Sequence, residues 1–168
     1  MKIYVAHAMT GRKKSEVLAE SRLLQKTVEA AFRKVELLDP VVLEGVKGKG
    51  KINSTPEQIR EFWRRDKEMI RRAHVVIDLT GPMKSEGVAH EIGYARYCLW
   101  KPVIRVYPGL SKNSVAFLED DMIARAPSEA LLMATRHYGT VLKRLLWRVK
   151  MLRRSFFKWL RYQLGEFK

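Results

Sequence analysis

HVVIDLTGPMKSEGVAHEIGYARYCLWKPVIRVY, residues His74–Tyr107, reads as a strand, a helix and a second strand. Its first seven residues form a nearly unbroken apolar run, the pattern of a strand covered on both faces. A polar loop, GPMKSEG, follows, then a helix over about Glu86–Leu99, and KPVIRVY supplies the next buried strand. Two strands joined through a helix lie parallel in one sheet, so this unit sets the architecture of everything around it.

The same rhythm extends outward in both directions. KIYVA (Lys2–Ala6) is a short first strand that stops in the loop HAMTGRK. Leu18, Leu23, Leu24, Val28, Ala31 and Phe32 then recur at helical spacing from Ser15 to about Val35. VELLDP is a second strand ending at Asp39-Pro40, followed by the Gly- and Lys-rich loop VVLEGVKGKGKINS. Thr55-Pro56-Glu57-Gln58 carries an N-cap, a proline in the first turn and a glutamine three residues on, so a helix starts there and runs through EFWRRDKEMIRRA. Beyond Tyr107, DMIARA is a weak fifth strand and PSEALLMATRHY a helix. Strands alternating with helices predict an α/β fold, a flavodoxin-like open parallel five-stranded sheet with helices on both faces. Ligands in such sheets bind beyond the C-terminal strand ends, which gathers the loops after Ala6, Asp39, Thr80 and Tyr107 around one crevice.

Composition bounds the rest. The 168 residues fit one domain, here residues 1–138, plus an appendage at 139–168. No apolar run approaches the roughly 20 residues of a membrane-spanning helix, and the N-terminus enters a strand directly, so the expectation is a soluble cytoplasmic protein. Cys98 has no partner for a disulfide or a metal cluster and is expected to be a small buried hydrophobe. The net charge of +15 is concentrated in the tail, where residues 141–168 hold nine Lys or Arg against one Glu.

Two carboxylates stand where apolar residues would be expected. Glu91 lies one turn into the helix after GPMKSEG, on the face of Val88 and Ala95; it is either an exposed first-turn acid favoured by the helix dipole or a group aimed into the crevice. Asp66 falls between Phe62 and Ile70 on the stripe of its helix that also holds Met69 and Ala73. Either it pairs with neighbouring Arg and Lys side chains at the surface, or it is an acid that burial would penalise unless it has work to do. Two acids flanking one crevice suit a nucleophile and a general acid or base. At the head of the same helix, Ser85 offers a hydroxyl, Gly87 admits close approach to the backbone, and free N–H groups favour an anion.

KIYVAHAMTGR, RRD with IRRAHVVIDL after it, and S-x-G-x-x-x-E-x-G-x-A (Ser85–Ala95) followed by KPVI together resemble the nucleoside 2-deoxyribosyltransferase superfamily, closest to its 2'-deoxynucleoside 5'-monophosphate N-glycosidase branch. The resemblance runs from Lys2 to about Val106, with a weaker continuation to Tyr138. It implies an enzyme of the N-glycosidic bond that uses no metal or organic cofactor. Glu91 would attack the anomeric carbon, Asp66 would assist the leaving base, and Tyr4 would orient the nucleophile. The transferases of the superfamily place Asp where this chain has Ser85, and the monophosphate hydrolases place Ser; a hydroxyl at a helix N-terminus accommodates a phosphate that a carboxylate would repel. The resemblance therefore implies hydrolysis of a nucleoside 5'-monophosphate, with base exchange by transfer as the enzymatic alternative and non-catalytic nucleotide binding or membrane association as the second. Thr10, Gly11 and Arg12 would add phosphate donors, His7 would contact the base or serve as an ordinary loop histidine, and Ser114 would reach a neighbouring subunit's phosphate in a homodimer.

The tail TVLKRLLWRVKMLRRSFFKWLRYQLGEFK lies outside that resemblance. Val141, Leu142, Leu145, Leu146, Val149, Leu152, Phe156, Phe157, Leu160 and Leu164 gather on one half of a helix, cations gather on the other, and Trp147 and Arg153 break the separation. Such a helix docks on its own domain or a dimer mate, or lies peripherally on an anionic membrane surface. Nucleic acid is the weaker option, because Trp147, Trp159 and Tyr162 form no single stacking platform.

Overall fold

Five short strands assemble in the order β2-β1-β3-β4-β5, every neighbouring pair parallel, in a computed structural model that describes residues 1–9, 12–43, 55–81, 85–107 and 122–163. They are β1 (Lys2–Ala6), β2 (Glu36–Leu38), β3 (Val75–Asp78), β4 (Val103–Val106) and β5 (Met122–Ala124). The helices are α1 (Lys14–Ala31), α2 (Pro40–Leu43), α3 (Pro56–Arg72), α4 (Glu86–Gly93), α5 (Pro127–Tyr138) and α6 (Val141–Gln163). This is the expected open α/β sheet.

Strand alternation divides the core in two. Ile3 and Val5 of β1, Val75 and Ile77 of β3, and Ile104 and Val106 of β4 face one side, where Leu24 and Val28 of α1 and Ala130, Leu131 and Ala134 of α5 cover them. Tyr4 and Ala6, Val76 and Val103 face the other, under Met69 and Ile70 of α3 and Val88 and Ile92 of α4. The apolar run of β3 is thus consumed by both faces, as the parallel-sheet reading requires.

Several boundaries and contacts differ from the sequence expectation. The buried stripe of α1 is Val17, Ser21, Leu24 and Val28, whereas Leu23 is 67% exposed and Ala31 is also exposed. A serine joins the stripe because it satisfies a buried histidine, described below. The helix after Ser85 is α-helical only to Gly93 and continues as a π-helical turn over Tyr94–Cys98. That wider turn buries Arg96 and leaves Cys98 exposed, so the cysteine is not the core residue expected. At the end of β3, Gly81 takes a left-handed conformation (φ 63°), which glycine adopts without strain and which turns the chain out of the sheet.

Candidate active site

The strand order reverses between β1 and β3, and a cavity of about 220 Å³ opens beyond their C-terminal ends. Tyr4 and His7 come from β1 and its loop, Pro40 and Val41 from the start of α2, Phe62 and Asp66 from α3, and Ser85, Gly87 and Glu91 from the head of α4. Six of the residues expected at the site therefore meet in one cleft. The loops after Ala6, Asp39 and Thr80 contribute to it as expected.

Asp66 is only 6% exposed, although it sits in the most charged helix of the chain. The Arg and Glu side chains around it in sequence pair with one another on the outer face: Arg64 and Arg65 both reach Glu61 at 2.8 Å, and Arg71 reaches Glu68 at 3.4 Å. Asp66 points inward, on the stripe of Met69 and Ile70. The surface-acid reading of Asp66 does not hold.

Glu91 is half-buried, with one carboxylate oxygen enclosed, so it is no exposed first-turn acid either. Tyr4, fully buried on the sheet, lines the same cavity close to both acids. Burial raises its pKa well above that of an ordinary tyrosine, and the charges of Glu91 and Asp66 raise it further. Tyr4 consequently remains a neutral phenol whose hydroxyl interacts with Glu91.

Ser85 is the N-cap of α4, and its Oγ accepts the Val88 N–H at 3.4 Å. Its hydroxyl hydrogen is still able to donate toward the cleft. A Cβ placed on Gly87 would meet no atom within 4 Å, so the space beside this backbone is open to a ligand. The arrangement offers an anion the amide end of a helix beside two acids.

His7 closes the opposite wall in a way the sequence did not reveal. Its Nε2 lies 3.0 Å from Asp39 Oδ2 and 3.1 Å from Ser21 Oγ, and its Nδ1 lies 3.5 Å from Glu20 Oε2. Burial alone would lower its pKa, but hydrogen bonds to Asp39 and Glu20 outweigh it and raise the value to about 9. Glu20 also accepts Arg12 Nη1 at 2.8 Å, so Arg12 enters the site as the end of an alternating chain, Arg12–Glu20–His7–Asp39, rather than as an open phosphate ligand. Asp39 turns its other oxygen to the Val41 N–H at 2.8 Å, fixing α2 against the cleft. Asp39, Glu20 and Ser21 were missed because they lie on two segments separate from His7, the middle of α1 and the end of β2, and carry no local motif. Thr10, Gly11 and Ser114 fall outside the described residues. Among those residues, no group of three or more His, Cys, Asp or Glu is placed to hold a metal ion.

No protein-family model matches the chain, and no curated protein matches it in sequence. Solved structures do match. A 2-deoxyribosyltransferase from Bacillus psychrosaccharolyticus aligns with a TM-score of 0.56 at 16% identity, covering 76% of this chain and 88% of its own. The CMP N-glycosidase BcmB of Clostridium botulinum aligns at 0.50 and 16% identity, covering 81% and 99%. A conserved protein from Enterococcus faecalis aligns at 0.57 and 17% identity, covering 81% and 98%. The chain shares the α/β fold of these three proteins.

Proposed function

We propose that the protein hydrolyses the N-glycosidic bond of a nucleoside 5'-monophosphate, a deoxynucleotide by preference, and releases free base and sugar 5-phosphate. The observation that carries this reading is the convergence of Glu91 and Asp66, from two helices, on one cleft that the neutral phenol of Tyr4 also lines. Two fold neighbours, one a 2-deoxyribosyltransferase and one a CMP N-glycosidase, point to the same bond.

In this mechanism the Glu91 carboxylate attacks C1' of the sugar as the C1'–N bond breaks, and the base departs with a proton from Asp66. The transition state resembles an oxocarbenium ion, which adjacent negative charge stabilises. Water then attacks C1' of the glycosyl–Glu91 ester, Asp66 takes up its proton, and Glu91 leaves as a carboxylate. Tyr4 orients Glu91 without competing as a base, because its pKa is too high for it to ionise near neutrality. The 5'-phosphate would sit at the N-terminus of α4, accepting from the Ser85 hydroxyl and from backbone N–H groups near Gly87.

Incubation of the purified protein with a panel of nucleosides and their 5'-monophosphates, without an acceptor base, tests this directly. Free base should appear from a monophosphate, and Glu91→Ala should abolish it, a loss of at least about 10³-fold, while far-UV circular dichroism is unchanged. Ser85→Asp should depress cleavage of the monophosphate at least about tenfold relative to the matching nucleoside, since it sets a carboxylate against the phosphate. Release of base only when a second base is added would replace hydrolysis with transfer. Tight nucleotide binding with no cleavage across the panel would reduce the protein to a binding module.

A further inference from the structure

Among the described residues of helix α6, the apolar half is not what docks on the domain. It is held to the domain by Trp147, edge-on to Tyr138 at 5.6 Å, by Met151, which is buried, and by Arg144 Nη1 donating to the Tyr138 carbonyl at 3.1 Å. Trp147 and Met151 lie on the side opposite Leu145, Leu146, Val149, Leu152, Phe156 and Phe157. Those six are between 47% (Phe157) and 62% (Val149) exposed. At helical spacing they form an arc roughly 140° wide that faces away from the protein.

Cations flank this arc on both sides, Arg144 and Arg148 on one and Lys143, Lys150 and Arg154 on the other, with Arg153 inside it. No acid occurs anywhere in α6. At the Leu145 edge the arc meets a second cavity, about 270 Å³, lined by Arg71, Arg72, Lys101, Arg144 and Arg148 and by no carboxylate. Lys101 is buried there, its Nζ donating to the carbonyls of Arg71 and Ala73, and burial with the nearby Arg148 lowers its pKa to about 8. This cavity opens at the N-terminal ends of β3 and β4, on the opposite edge of the sheet from the cleft that holds Glu91.

We propose that α6 lies on the surface of an anionic lipid bilayer, with its apolar arc inserted at the level of the acyl chains and its flanking cations, with the basic cavity, receiving lipid phosphates. Charge complementarity selects this occupant. A second copy of the helix would bring two acid-free rows of cations together, and a nucleic acid would leave the apolar arc uncovered. Among the described residues no helix is long and apolar enough to cross a membrane, so the helix lies on the surface rather than spanning it.

Co-sedimentation of the full chain with vesicles of phosphatidylcholine alone, and of phosphatidylcholine mixed with phosphatidylglycerol, tests the proposal. Binding to the mixed vesicles should exceed binding to neutral ones by about tenfold or more. Changing Leu146, Leu152 and Phe156 together to Ser should lower it about tenfold with every cation retained, since these side chains are 56–60% exposed and outside the core. Arg144→Glu with Arg148→Glu should lower binding to the mixed vesicles only. Equal binding to both vesicle types, or undiminished binding by the serine variant, overturns the proposal. So does a dimer in solution that the serine variant dissociates, because the arc would then be covered by a second copy.

Discussion

His7, only 8% exposed, carries a positive charge between Asp39 and Glu20 at neutral pH. The ion chain it completes ties the loop after β1 to α1 and to the end of β2, and so holds one wall of the cleft in place. Because its pKa rises from 6.5 to about 9 on folding, its stabilisation is complete below pH 6.5 and is lost as pH climbs through about 9. Glu20 works in the opposite range: burial would raise its pKa, but bonds from His7 and Arg12 lower it, so its contribution holds above the ordinary carboxylate value and fades as pH falls through the depressed one. Lys101, lowered to about 8, has the reverse slope to His7 in alkali, since the folded state there binds fewer protons than the unfolded. The clean measurement is therefore a difference. Urea unfolding of the wild type and of His7→Gln should show a stability gap of order 2–3 kcal/mol at pH 6 that closes toward pH 10. A gap that does not vary with pH would mean that His7 folds uncharged.

Secondary-structure elements were legible in the sequence wherever a local rule fixed them. Thr55 shows this best: its side chain accepts the Gln58 N–H at 3.3 Å while Gln58 Oε1 accepts the Thr55 N–H at 3.0 Å, the reciprocal cap that the four-residue signature predicts. Thr55→Ala should cost about 1 kcal/mol in urea unfolding with an unchanged denaturant slope, because the cap is exposed and no core contact is lost. The α1 stripe was harder to read, since Ser21 is buried for its bond to His7 and Leu23 is left in solvent, and neither choice follows from hydropathy. The π-helical turn at Tyr94–Cys98 has no sequence signature at all, which is why Cys98 was misplaced. Glu91 and Asp66 could be singled out because each interrupts an apolar stripe. Asp39 ends a strand, as many surface aspartates do, and only the fold brings it to His7 across 32 residues.

At the scale of the molecule, the sheet presents two chemically different ends. The acids and the α4 N-terminus lie at the C-terminal strand ends, and the basic cavity with α6 lies at the other. Trp147 is the hinge between domain and tail: it packs on the α1–α5 side of the core, against Tyr138, while Lys150 stands 5.9 Å over its ring. Its buried indole N–H has no protein acceptor among the described residues, so the ring contributes by apolar packing rather than by hydrogen bonding. Trp147→Phe should therefore be nearly neutral, whereas Trp147→Ala should lose about 2–3 kcal/mol in urea unfolding, because it uncovers Tyr138 and releases α6 from the domain. Base release per folded molecule should be the same in both variants, since the cleft shares no residue with this contact. A fall in turnover with Trp147→Ala, at a temperature where circular dichroism shows the domain intact, would mean that α6 supports the cleft through the sheet, and the two ends could no longer be treated as independent.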